Sequence, residues 1–337
     1  MKKLLFLAII TAIVYLSILN KNLYKKISAK DLKISEYKTL LKLTREDSIK
    51  TTNYSKEKPQ DSKIFVINLE KHKDRLASID KQFKKENIEY SRFNAVLGYD
   101  IVITDKNNIK HSGAELKDGS FKFDIGENNI NFRKHSFTYL ITHKNNILPA
   151  GLLGCYCSHY EIMNEIIEKN YAYGMIFEDD VKLSDGFGKY FDEAIKQLNT
   201  IPDFDILYFA IHMQIKGKYY DNFAVMQDSI KHDRDYSQLP QNFKDANFIK
   251  INDTFSKFII NNNIETKITA TGAGYAYLVS NSGAKKIAKA MKIGVYANDA
   301  EYSLMTTDGY INTFVANQSN VGVNWNSSYN GNGNQIM

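Results

Sequence analysis

The run Met-Ile-Phe-Glu-Asp-Asp-Val at 175–181 constrains this chain most, because an apolar stretch stops abruptly at three consecutive carboxylates, Glu178, Asp179 and Asp180. A buried strand that carries acids to its C-terminal edge is how many α/β proteins hold a hard divalent cation against a phosphate-bearing ligand. The same seven residues also describe a strand entering a solvated acidic turn, so the surrounding pattern has to decide.

That pattern is α/β. Residues 63–69 form a compact apolar, β-branched run that reads as a buried first strand, followed by a charged stretch. Leu76, Ile79 and Phe83 recur at helical spacing, which predicts an amphipathic helix over 74–86. A second strand is expected over 90–96, closing at Gly98, and a β-α-β opening of this kind starts a doubly wound sheet. Further along, a helix opens at 151–154 with Ile162, Ile166 and Ile167 set to pack beneath the strand 172–177. Strands follow at 205–210 and 274–279, and a helix at 282–291. Between 98 and 149 the pattern dissolves into Asn, Asp, Lys and Gly with short apolar islands, and such a length is read as an insertion near the site.

The N-terminal segment differs from the rest. After Lys2 and Lys3, residues 4–19 are apolar apart from Thr11, Tyr15 and Ser17, with no small-x-small cleavage pattern behind them. An uncleaved membrane anchor over 1–20 is expected, with a polar stalk over 21–62 and the folded domain over 63–330. Lys21, Lys25, Lys26, Lys30 and Lys33 outnumber the positive groups before the stretch, which favours the domain on the cytoplasmic face, a lumenal or periplasmic domain being the alternative.

Composition excludes little else. The net charge of +6 comes largely from the first sixty positions, and the lysines are scattered without interleaved aromatics, which argues against nucleic acid as a partner. The two cysteines, Cys155 and Cys157, stand too close for ordinary disulfide geometry and are too few for a zinc site without well-placed histidines, so they read as small buried residues.

Several short motifs then follow in order. They are Asn68-Leu69 with Asp74-Arg75, Phe93-Asn94-Ala95-Val96 with Gly98, Gly151 and Gly154-Cys155 with Ser158-His159, Phe177 to Val181, and Gly274 to Leu278 with Ser282-Gly283-Ala284. Over about 63–300 the chain resembles glycosyltransferase family 25, the bacterial lipooligosaccharide galactosyltransferase group, with collagen galactosyltransferases as distant relatives. The resemblance implies a GT-A-like fold, with a Rossmann-like, mixed and mostly parallel sheet flanked by helices. It also implies a UDP-sugar donor, most often UDP-galactose, a divalent metal (Mn²⁺ or Mg²⁺), inversion at the anomeric carbon, and a glycan or glycolipid acceptor at a bacterial inner membrane.

Chemistry assigns roles within that frame. A nucleoside diphosphate leaving group gains charge as the glycosidic bond breaks, and Glu178 and Asp180 are the candidates to hold the cation that stabilises it. Asp179, between them, faces the other way in an extended segment and suits donor hydroxyls or a cap. No histidine follows His232, so a C-terminal histidine ligand of the kind other GT-A enzymes use is absent. Inversion needs a base for the acceptor hydroxyl; Asp299 sits where the family carries an Asp, with Glu301 two residues on, and helix capping is the alternative role for Asp299. Arg75 suits the nucleotide phosphates, or a surface pair with Asp74 or Glu70, and Asn68 suits the base or ribose. Ser158 and His159 are expected to line the donor pocket at a helix start; a satisfied structural role is the alternative for His159. Two departures stand out: Leu152 replaces a Glu common after the first Gly of the Gly-x-x-Gly motif, and Met163 lies where a Trp is often found. They keep open a catalytically silent relative acting as a scaffold or adhesion protein.

Overall fold

The structure, a computed structural model, describes residues 62–323 apart from 124–125, 142–145, 202, 216–217, 222–235, 239, 264, 273–274, 293–297 and 319–320. The expected anchor and stalk lie outside the described residues, as do Gly274 and the C-terminal tail. Among the described residues no helix is long and apolar enough to cross a membrane.

An eight-stranded mixed sheet forms the centre. In chain order its strands are β1 (Lys63–Asn68), β2 (Ser91–Asn94), β3 (Tyr173–Glu178), β4 (Ile206–Tyr208), β5 (Phe248–Lys250), β6 (Phe255–Phe258), β7 (Ala276–Ser280) and β8 (Thr313–Ala316). Across the sheet they stand β5-β6-β8-β4-β7-β3-β1-β2. Parallel pairing joins β1 to β2, β1 to β3 and β4 to β8, while β7 runs antiparallel between β3 and β4, and β6 runs antiparallel between β5 and β8. With its flanking helices this is the mixed α/β architecture of a GT-A-like fold.

The burial pattern explains the strands. Residues 174–177 of β3 and 276–279 of β7 are buried without alternation, as expected for strands covered on both faces. Helix α1 (Lys73–Lys85) lays Ile79 and Phe83 against this sheet, and Phe83 meets Phe177 edge to face at 5.0 Å between ring centres. Helix α2 (Ala150–Glu168) buries Leu153, Tyr156, Ile162, Met163 and Ile166; Ile167, expected to share that face, is only half-buried. Helix α3 (Phe187–Lys196) adds Phe187 and Phe191 to the same core.

Two glycines fix how α2 meets the loop after β2. A Cβ on Gly98 would stand 1.7 Å from the Ala150 carbonyl oxygen, and one on Gly154 would stand 2.5 Å from that of Val96. Only bare backbone permits this approach, and it brings Val96 N–H onto Ser158 Oγ at 2.8 Å. The wall of the cleft described below depends on that contact.

The segment read as an insertion is a β-rich module. Lys110–Ser112, Val102–Thr104, Gly126–Phe132 and His135–Ile141 form one small sheet, and Ser120–Phe123 pairs with Asn146–Pro149. Its core is Ile101, Ile103, Phe121, Phe123, Ile130, Phe132, Phe137 and Tyr139. The period-two signal was present in Asn-Ile-Asn-Phe and Ser-Phe-Thr-Tyr, but the asparagines between the apolar residues mask it.

Candidate active site

The chain reverses its direction of winding between β1 and β3. From β1 it proceeds through α1 to β2 on one side, while β3 leads to the strands on the other. Ligands of open α/β sheets bind at such a switch point, beyond the carboxyl ends of the strands. Here those ends are Asn68 and Glu178. The parallel register sets Ile67 beside Glu178, so Asn68 and Asp179 lie one step beyond the last pair.

The triplet divides as soon as the strand ends. Asp179 turns toward β1 and α1, where Asn68 Nδ2 donates to its Oδ2 at 2.6 Å and Arg75 Nη1 donates to its Oδ1 at 3.0 Å. Arg75 and Asp179 are each only 8% exposed, so this is a buried ion pair. Arg92 Nε completes the group by donating to Asn68 Oδ1 at 3.0 Å. Arg75 is therefore paired with Asp179 inside the fold. Asp180 follows, buried, immediately before the short strand Val181–Leu183.

Glu178 turns the other way, toward α2. Its Oε1 lies 3.4 Å from His159 Nε2, and His159 Nδ1 lies 2.6 Å from the Tyr277 hydroxyl, which in turn meets that of Tyr302 at 3.2 Å. His159 is fully buried, and desolvation pushes its imidazole down to about 3, so the ring is neutral. Glu178 keeps 18% of its side chain exposed at the cleft mouth. Burial of its carboxyl, helped by Asp179 and Asp299 and opposed by Arg75, pushes it up to about 8.

Ser158 and His159 do not stand at a helix start. α2 begins at Ala150, two turns earlier, so their amides lie within the helical ladder and offer nothing to an anion. The Ser158 hydroxyl is also engaged, accepting from Val96 N–H and donating to the Gly154 carbonyl at 2.7 Å.

Asp299 is brought to the triplet from the far end of the sequence. It occupies the first turn of the helix Asn298–Thr307, its Oδ1 accepts from Ala300 N–H at 2.8 Å, and its side chain is exposed while the walls around it raise its carboxyl above the usual range. Glu178 and His159 both lie within electrostatic reach of it. Glu301 is placed differently: it is 0% exposed, with its charge felt by buried Tyr139 of the β-module. Leu152, half-buried, lies in the first turn of α2.

Sequence reasoning missed one member of the site. Cys155 precedes His159 by four residues, and one helical face therefore carries both toward Glu178. Their donor atoms, Sγ, a ring nitrogen and a carboxylate oxygen, all lie within 4.8 Å of one another. The i, i+4 spacing was the available signal.

Two hollows meet here. The first is lined by Leu69, Ala95, Val96, Cys155, His159 and Glu178 among others. The second, of about 640 Å³, runs along α1 past Ser78, Lys81 and Lys182. Arg75, Asp179 and Asp180 line both.

The pH dependence of stability follows from Glu178 and His159. Between pH 4.5 and 8 the folded Glu178 retains a proton that the unfolded chain has lost, so stability present at low pH is lost as pH rises toward 8. Between pH 6.5 and 3 the unfolded chain protonates His159 while the folded one refuses, so stability falls as pH drops. The opposing slopes cancel between pH 4.5 and 6.5. In chelator-treated protein, wild type is expected to lose about 2 kcal/mol more than Glu178→Gln between pH 6.5 and 8, at about 1.4 kcal/mol per pH unit. Melting curves across pH check this; parallel curves would show that Glu178 titrates normally.

Comparison with known sequences agrees with this geometry. Residues 61–301 match the profile of glycosyltransferase family 25 (LPS biosynthesis protein). The chain belongs to this family. It is 25% identical over 146 residues to procollagen galactosyltransferase 1-A of Xenopus laevis, covering 43% of this chain and 20% of that protein. It is 26% identical over 137 residues to a probable inactive glycosyltransferase 25 family member 3 of Rattus norvegicus, covering 41% and 20%. A glycosyltransferase 25 family member of Drosophila melanogaster is 25% identical over 158 residues, covering 45% and 22%. The matched regions span about a fifth of the length of these relatives.

Proposed function

We propose that this family 25 chain is an inverting hexosyltransferase that moves galactose from UDP-galactose to a glycan or glycolipid acceptor in surface glycan synthesis, of the lipopolysaccharide or lipooligosaccharide kind. The observation that carries the reading is the acidic cluster at the switch point: Glu178, Asp179, Asp180 and Asp299 converge there, and Arg75, bound to Asp179, opposes only part of their charge. A carboxylate pushed up to about 8 by burial, with Asp179 and Asp299 adding to the effect, is one that a divalent cation would ionise, so the residues fit Mn²⁺ or Mg²⁺. Glu178 and Asp180 would hold it, and when bound it would neutralise charge building on the leaving diphosphate.

The remaining roles fall to this chain's own groups. Asp179, fixed by Asn68 and Arg75, holds the turn that aims its two neighbours. Asp299, with its raised carboxyl and open side chain, takes the acceptor proton, and a carboxylate made more basic by burial suits that task. Two hollows sharing one acidic wall suit a reaction that brings two substrates together. Residues 4–19 anchor the chain, with the enzyme on the cytoplasmic face.

A silent scaffold is the second reading, favoured by Leu152 and by the likeness to a relative described as probably inactive. Screening the full-length chain for UDP-sugar hydrolysis with Mn²⁺, beside Asp180→Ala, separates the two. Turnover of UDP-galactose lost in the variant supports the enzyme; no turnover of any UDP-sugar, with no thermal stabilisation by UDP and Mn²⁺, supports the scaffold.

A further inference from the structure

We propose that Cys155, His159 and Glu178 form a binding site for one thiophilic divalent cation of the Zn²⁺ class, opening on the cleft and sharing Glu178 with the donor site. The three donor atoms already lie within 4.8 Å of one another. Zinc bonds of about 2.0–2.3 Å set tetrahedral ligands about 3.5 Å apart, so side-chain shifts of about 1 Å close the triad on an ion.

The chemistry of each ligand agrees. The Tyr277 hydroxyl on Nδ1 orients the His159 ring and leaves Nε2 facing Glu178, as metal-bound histidines are oriented by a partner on the other nitrogen. Cys155 Sγ has only a long contact, 3.6 Å to Asn298 Oδ1, and it stands in the field of Glu178, Asp299 and Asp180. That field opposes a bare thiolate and favours a cation beside it. One thiolate, one carboxylate and one neutral imidazole balance a divalent charge, which suits a poorly solvated place. The exposed part of Glu178 leaves a fourth position for water from the cleft. Cys157 is directed elsewhere, with Glu161 and Arg133 as its charged neighbours. Binding releases the thiol proton and, where Glu178 is protonated, the carboxyl proton as well.

The site stands on its own geometry. Only its consequence for turnover, competition with Mn²⁺ through Glu178, rests on the proposed function. The test is Co²⁺ titration of the metal-stripped full-length chain, followed by near-ultraviolet thiolate-to-cobalt charge transfer. A band saturating at about one equivalent is expected. It disappears in Cys155→Ser, persists in Cys157→Ser and Asp180→Asn, needs at least about tenfold more Co²⁺ in His159→Gln, and is cleared by Zn²⁺ but not by equimolar Mn²⁺. Absence of the band in wild type, or its survival in Cys155→Ser, overturns the proposal. Should Cys155→Ser fail to fold, X-ray absorption of zinc-loaded wild type decides: one sulfur at about 2.3 Å supports the site, and a shell of nitrogen and oxygen alone overturns it. A chain with the cobalt band but no UDP-sugar turnover defeats the transferase reading only; turnover without the band defeats the cation site only.

Discussion

Asp180→Ala is expected to lower kcat/KM for UDP-galactose hydrolysis by about a hundred- to a thousandfold, the size of effect seen when one group that stabilises developing charge is removed from a preorganised site. The residue lies two positions beyond the end of β3, and its side chain is buried at the edge shared by both hollows. Removing its charge leaves Glu178 as the sole remaining member of the expected cation pair, so the loss should appear in kcat and in the Mn²⁺ concentration needed for half activity. Asp180→Asn is the control for packing, since it retains the shape and removes the charge. Circular dichroism establishes that each variant is folded before its rate is read. Undiminished turnover in both would remove Asp180 from the reaction.

The second large effect is on stability. Asp179→Ala strips the carboxylate from Arg75, whose guanidinium is buried with it, and also from Asn68 Nδ2. Breaking a buried pair from one side costs about 3–5 kcal/mol, because the buried guanidinium loses a carboxylate that compensates its charge. For a domain of this size that corresponds to a fall in Tm of about 10 °C. The double variant Arg75→Met with Asp179→Leu should lose less than Asp179→Ala, since it buries apolar groups of similar size and leaves neither charge behind. A double variant at least as unstable as the single one would show that the pair acts through direct attraction rather than through mutual compensation.

The sequence reveals the central strands because they are buried on both faces. The runs at 63–69 and 172–177 announce β1 and β3 within a residue or so, and the Leu76, Ile79, Phe83 spacing announces α1. The edge of the sheet was harder to see. β5 and β6 are short and interspersed with Lys and Ser, and Ile249 is exposed, so no periodic signal marks them. The β-module was hidden for a similar reason, its apolar residues alternating with asparagine rather than with the charged residues that usually mark a solvent face.

Within the site, local pattern and long-range pairing part company. The end of β3 and the acidity beyond it are local facts, readable from seven residues. Asp179, which Arg75 pairs with, is 104 positions away, and nothing near Arg75 in the chain points to it. Without the sheet register, a guanidinium beside a cleft reads as a phosphate ligand; with it, the same group is seen to hold the turn. Ser158 shows the same limit, since its engagement by Val96 depends on two glycines, Gly98 and Gly154, bringing separate segments into backbone contact.

A crystal of the full-length chain soaked with Mn²⁺ and UDP tests the central claim most directly. The account predicts an anomalous peak bonded to carboxylate oxygens of Glu178 and Asp180 and to the diphosphate, with Asp179 still held by Arg75. Diphosphate bound away from the end of β3, with no cation on either carboxylate, would contradict it.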